Sequence, residues 1–83
     1  GRASPALRLG RQALVPAPGE VVAWERWAGA DRRVVAVNFG AGGQEVELGR
    51  AWVVEVASDG VGEGRAWGGR LGPDQAIVLR PGG

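Results

Sequence analysis

An all-β fold is what this sequence predicts: an antiparallel β-sandwich of two sheets, Greek-key in type, with about seven or eight strands. Valine-rich apolar runs recur at roughly ten-residue spacing, which is the rhythm of a small sandwich or barrel. Turn-forming residues stand between them, with 16 glycines and 5 prolines in 83 residues. After Gly10 no helical period of useful length appears, and there is no internal repeat. A chain of this length makes one domain with a modest core. Its hydrophobic share of 45% sets it apart from a disordered chain of similar glycine content.

The opening GRASPALRLG is interrupted by Pro5 and ended by Gly10, so it reads as the tail of a helix or a single turn. Arg11 to Val15 is a strand candidate, closed by the PAPG turn at Pro16 to Gly19. Val21 to Trp27 follows as a strong strand, and RVVAVNFG at Arg33 to Gly40 as another. Gln44 to Leu48, Trp52 to Ala57 and Gln75 to Leu79 complete the main set. A further short strand is expected around Trp67 to Leu71, inside the glycine-rich segment.

Turn chemistry sets the register. Gly29-Ala30 suits a two-residue hairpin loop that needs positive φ at its first position. Closing there sets Trp27 opposite Arg32, Trp24 opposite Val35 and Val22 opposite Val37. A second hairpin over Gly40 to Gly43 is expected to set Val37 opposite Val46 and Val35 opposite Leu48. The two hairpins agree on one face, which collects Val22, Trp24, Val35, Val37, Phe39, Val46 and Leu48 and is assigned to the core. The opposite face holds Val21, Ala23, Glu25, Val34, Ala36 and Asn38. It is small and apolar through its middle, where ordinary alternation places charges. Something therefore covers it, either a loop of this domain or a second domain.

Composition excludes several function classes. The net charge is +1, and the arginines are scattered among the carboxylates, so no basic stripe suits a phosphate backbone. Nucleic acid is not an expected partner. Histidine and cysteine are both absent, which removes the usual general base, the commonest metal ligands and any disulfide. No cofactor and no metal site are expected. No run reaches the length of a membrane span, and the first residues lack the apolar core of a signal peptide.

The residues that could carry chemistry have plainer readings beside them. Glu45, Glu47 and Glu25 could pair as acids for glycoside chemistry, but arginines lie nearby and a solvated face accounts for them better. The segment DGVGEGRAWGG lacks both the dinucleotide fingerprint and the lysine of a P-loop, and reads as a flexible hairpin loop. Ser4 and Ser58 have no partner base. Asn38 is either a substrate contact or, as favoured here, an amide that bonds backbone where the strand ends. Trp24 and Trp52 fall in phase with apolar residues and read as packing. Trp27 and Trp67 are candidate sugar contacts, with an edge cap or a neighbouring domain as the competing readings.

SPALRLG at Ser4 to Gly10, VVAWER at Val21 to Arg26 and RRVVAVNFG at Arg32 to Gly40 occur in an order that resembles one family. Val46-Glu47-Leu48, the Trp52 to Ser58 strand and Leu71-Gly72-Pro73 leading into AIVLR continue the pattern. The run resembles the C-terminal β-sandwich domain of α-amylase-family glycoside hydrolases, closest to bacterial α-glucosidases and oligo-1,6-glucosidases. Trp24 stands where that family usually has tyrosine, and Ala36-Val37 where leucine is frequent. Neither departure disturbs the apolar pattern.

The resemblance implies an inter-domain turn over residues 1–10 and a sandwich domain over residues 11–83. It implies a non-catalytic accessory domain that packs against and stabilises the catalytic barrel of an α-glucan-active parent. The barrel would then cover Val21, Ala23, Val34 and Ala36. The family's catalytic acids belong to the barrel and match no position in this chain. A monomer with weak or no carbohydrate binding is expected, in the bacterial cytoplasm in preference to secretion. The alternative is a carbohydrate-binding module using exposed Trp27 and Trp67.

Overall fold

The main sheet grows from the hairpin at Gly29-Ala30. Gly29 holds φ at +61°, a conformation that costs a β-carbon dearly and glycine nothing. That turn joins β2 (Val21–Ala28) to β3 (Asp31–Asn38) in the expected register, with Trp27 opposite Arg32, Trp24 opposite Val35 and Val22 opposite Val37. The computed structural model describes residues 11–82, so the turn expected over residues 1–10 lies outside the described part.

Five further strands complete the all-β architecture: β1 (Arg11–Val15), β4 (Gln44–Glu45), β5 (Trp52–Ala57), β6 (Arg70–Leu71) and β7 (Ala76–Pro81). They form two antiparallel sheets, one of five strands in the order β1-β2-β3-β7-β5 and one a ribbon of β4 with β6. The expected strands over 11–15, 21–27 and 52–57 fall where the sequence placed them. Those over Gln44 to Leu48 and Trp67 to Leu71 shrink to two residues each.

The expected second hairpin does not form. The neighbour of β3 is β7, with Val35 opposite Val78 and Val37 opposite Ala76. After Asn38 the chain leaves the sheet and crosses to the second layer, where Gln44 pairs with Leu71. The central strands therefore show the sequence-predicted alternation, but the covered face is the other one. Val21, Ala23, Val34, Ala36 and Asn38 are buried, joined by Ile77 and Leu79 of β7 and by Trp52, Val54 and Ala57 of β5. Val46 and Leu71 close this core from the ribbon side, with Leu48 and Trp67 packed against it. The cover of the small apolar face is thus internal, and Val21, Ala23, Val34 and Ala36 are core residues, not an inter-domain face. The side chains expected in the core, Val22, Trp24, Val35, Val37 and Phe39, lie half-buried or exposed, with Phe39 64% exposed.

Two devices hold the layers in place. A bulge at Glu55, between Val54 and Val56, shifts the phase of β5 so that Trp52, Val54 and Ala57 all turn inward. Asn38 is 1% exposed, and its amide donates to the carbonyls of Leu71 (3.2 Å) and Gly42 (2.9 Å) while accepting from the Gly40 N–H (2.9 Å). One side chain thereby ties β3 to β6 and closes the turn that leaves the sheet, as the structural reading of Asn38 expected.

Candidate functional site

The outer face of the five-stranded sheet is the unusual surface of this molecule. Its middle is a single cross-strand row, Leu14–Trp24–Val35–Val78–Val56, with one apolar side chain from each strand. Strands lie about 4.8 Å apart, so the row runs for about 19 Å. A second row, Val22–Val37–Ala76, lies beside it. Leu14 is 79% exposed, Val56 51% and Val22 42%, while Trp24, Val35, Val37 and Val78 are half-buried. A solvated sheet face would carry polar side chains at these positions. A contiguous apolar surface of a few hundred Å² marks an interaction site more often than a free surface.

One margin of this face is cationic. Gln12 stands opposite Arg26, and Arg26 opposite Arg33. The pairing of Val34 with Leu79 places Arg80 next in the same line. Both nearby carboxylates are held by Arg33, which meets Glu55 through two nitrogens at 3.0 Å and Asp31 at 2.9 Å. Burial pulls the Arg33 pKa down, but the bonds and charges of Glu55 and Asp31 outweigh it and hold the guanidinium above the usual arginine value. Among the described residues Arg26 has no such partner. Its Nε is buried and makes no hydrogen bond, a state shared among the described residues with Trp52 Nε1. Gln12, Ala13, Leu14, Trp24 and Arg26 line a shallow cleft at the β1 side of the face.

The two sheet edges differ. Beside β5 the glycine-rich segment runs as a ribbon of backbone, with Val54 N–H bonding Arg65 O (2.9 Å), Gly64 N–H bonding Val54 O (2.7 Å) and Trp67 N–H bonding Trp52 O (2.8 Å). The expected flexible loop is in effect a cover over an edge strand. Gly64, at φ +81°, permits the reversal this requires. At the far side β1 pairs, among the described residues, with β2 alone, and most of its residues are exposed.

The candidate sugar contacts stand apart. Trp27 lies at the open end of the inner face, where the Arg32 guanidinium sits 5.9 Å from its ring centre and bonds Glu25 at 2.7 Å. Its surface depression is shared with Arg11, Ala28 and Gly29. Trp67 packs against the core and separates two other depressions, one lined in part by Asp59, Arg70 and Gln75, the other by Glu47, Gly49 and Arg50. Asp59 and Gln75 bond each other at 3.2 Å, which fastens the loop to β7. The two rings share no surface. The acids are also dispersed: Glu25 bonds Arg32, Glu45 lies 3.6 Å from Arg70, and Glu47 is exposed. Among the described residues no group of three or more His, Cys, Asp or Glu side chains could hold a metal ion.

Sequence reasoning placed Trp24, Val35 and Val37 on one face and missed that this face was the open one. It also missed Leu14, Val56, Val78 and Arg26 as its companions. Their parity was readable once β7 was known to lie beside β3, a long-range pairing that no turn signal announces. No known protein family matches the chain, and no curated protein matches it.

Proposed function

We propose that this chain is a non-catalytic accessory domain that docks on a larger partner domain through the outer face of its main sheet. The partner is taken to be the catalytic barrel of an α-glucan-active glycoside hydrolase, as the motif order of the sequence suggests. The observation that carries the docking is the apolar row from Leu14 to Val56, which crosses all five strands and is exposed at both of its ends. It takes over the role that the sequence alone assigned to Val21, Ala23, Val34 and Ala36. The alternative, a carbohydrate-binding module, draws less support because Trp27 and Trp67 occupy separate depressions. Stacking on a glucan gains from rings that share one surface.

Two measurements test the proposal. In the protein that carries the barrel, Val35→Glu lowers the barrel's melting temperature by several degrees, while the 83-residue chain alone loses only about 1 kcal/mol. An unchanged barrel overturns the docking face. The isolated chain, incubated with maltose, isomaltose and a chromogenic glucoside, gives no turnover. Turnover by the pure chain overturns the non-catalytic assignment.

A further inference from the structure

Resting on the docking face proposed above, we infer that the protein segment covering it brings a carboxylate side chain onto Arg26, in the cleft beside Leu14 and Trp24. Arg26 stands near the hairpin end of β2 and faces Arg33 directly across the strand pair. Like charges in direct opposition repel, and on this margin both nearby acids, Glu55 and Asp31, already bind Arg33. Among the described residues neither Arg26 nor Arg80 enters an ion pair, so the row has more guanidinium than carboxylate. The Arg26 Nε is moreover shielded from water without a hydrogen bond, a condition that buried donors rarely retain.

The cleft supplies the remaining half of the recognition. Leu14 and Trp24 offer an apolar floor, and Gln12 offers an amide beside the guanidinium. A ligand that fits is an apolar side-chain cluster with one Asp or Glu at its margin. A free phosphate would satisfy the charge and waste the floor; a purely apolar partner would leave the Arg26 guanidinium without a counter-charge. Charge complementarity therefore selects an acidic protein segment. It also predicts that docking weakens as salt is raised, because the Arg26 contact is only partly buried.

The test uses the whole 83-residue chain and small probes. Nitrogen–proton spectra that include the Arg26 Nε–H are recorded during titration with 4-phenylbutyrate, 4-phenylbutanol or inorganic phosphate. The expected result is shifts at Leu14, Trp24 and Arg26 with both aromatic probes, the carboxylate binding about three- to fivefold tighter than the alcohol. Arg26→Gln removes that difference, and Arg26→Met, which keeps the aliphatic stem, removes it too with the core amide signals unmoved. Equal affinity of acid and alcohol overturns the carboxylate inference and leaves the docking face standing. Shifts confined to Arg26 with phosphate as strong as 4-phenylbutyrate also overturn it, since the site would then select charge alone. Absence of any shift on the face with either aromatic probe overturns the docking reading itself.

Discussion

Neighbouring residues on β3 give opposite outcomes when each is made acidic. Ala36 is fully buried, opposite Ala23 on one side and Ile77 on the other. Val35 points to the outer face, between Trp24 and Val78, and is half-buried. In Ala36→Glu a carboxylate enters the layer built by Val21, Ala23, Val34, Ile77 and Leu79, and four extra heavy atoms enter a space that held a methyl group. Either the charge is buried unpaired or the acid is neutralised, and overpacking adds to both, so the loss is about 4 kcal/mol or more. A domain of 83 residues has roughly 4–12 kcal/mol in total. Ala36→Glu thus stands at the edge of unfolding at neutral pH. Val35→Glu loses only the partial burial of one valine, about 1 kcal/mol. Urea denaturation followed by tryptophan fluorescence reads both. The reasoning is refuted if Ala36→Glu keeps its midpoint while Val35→Glu unfolds, for the covered face would then be the one carrying Trp24 and Val35.

Asn38→Ala removes an amide that satisfies the Gly42 and Leu71 carbonyls and the Gly40 N–H. The expected cost in the same denaturation assay is about 2–4 kcal/mol, because buried partners are left unpaired. Glu55→Gln weakens the paired contact with Arg33 and costs about 1 kcal/mol at low salt, less at high salt. The pKa of Arg33 is raised in the folded state, so its contribution to stability is complete below the ordinary arginine value and is lost only as pH rises through the folded one. Stability curves across the neutral range should therefore show no step from this group; a step there that Arg33→Gln abolishes would contradict the assignment. Titration with maltoheptaose should give binding no tighter than millimolar, worth about 4 kcal/mol at most. Saturating shifts at Trp27 or Trp67 in the micromolar range would revive the carbohydrate-binding alternative.

The strands and the central hairpin were legible in the sequence because their causes are local. Gly29 alone dictates a turn of positive φ, and from it follow the pairs Trp24–Val35 and Val22–Val37. Trp52 to Ala57 is bounded by turn residues and rich in valine, and the strand has those same ends. Asn38 was legible too, since a short amide at a strand end has backbone groups within reach whichever way the chain continues. Which face is covered was another matter. Val21-Val22-Ala23-Trp24 and Val34-Val35-Ala36-Val37 are apolar on both sides, so alternation separates two faces and ranks neither. The expected second hairpin, with Val37 opposite Val46, favoured Trp24 and Val35 for the core, but that hairpin does not form. The core takes its volume from Leu71, Leu79, Ile77 and Trp52 and accepts alanines at 23 and 36. Those partners arrive from the far end of the chain. The decision fell to tertiary structure when β7 took the place beside β3 and the chain after Asn38 crossed to the second layer. A pairing between residues some forty positions apart depends on the summed burial of two layers, a quantity that no window of neighbouring residues contains.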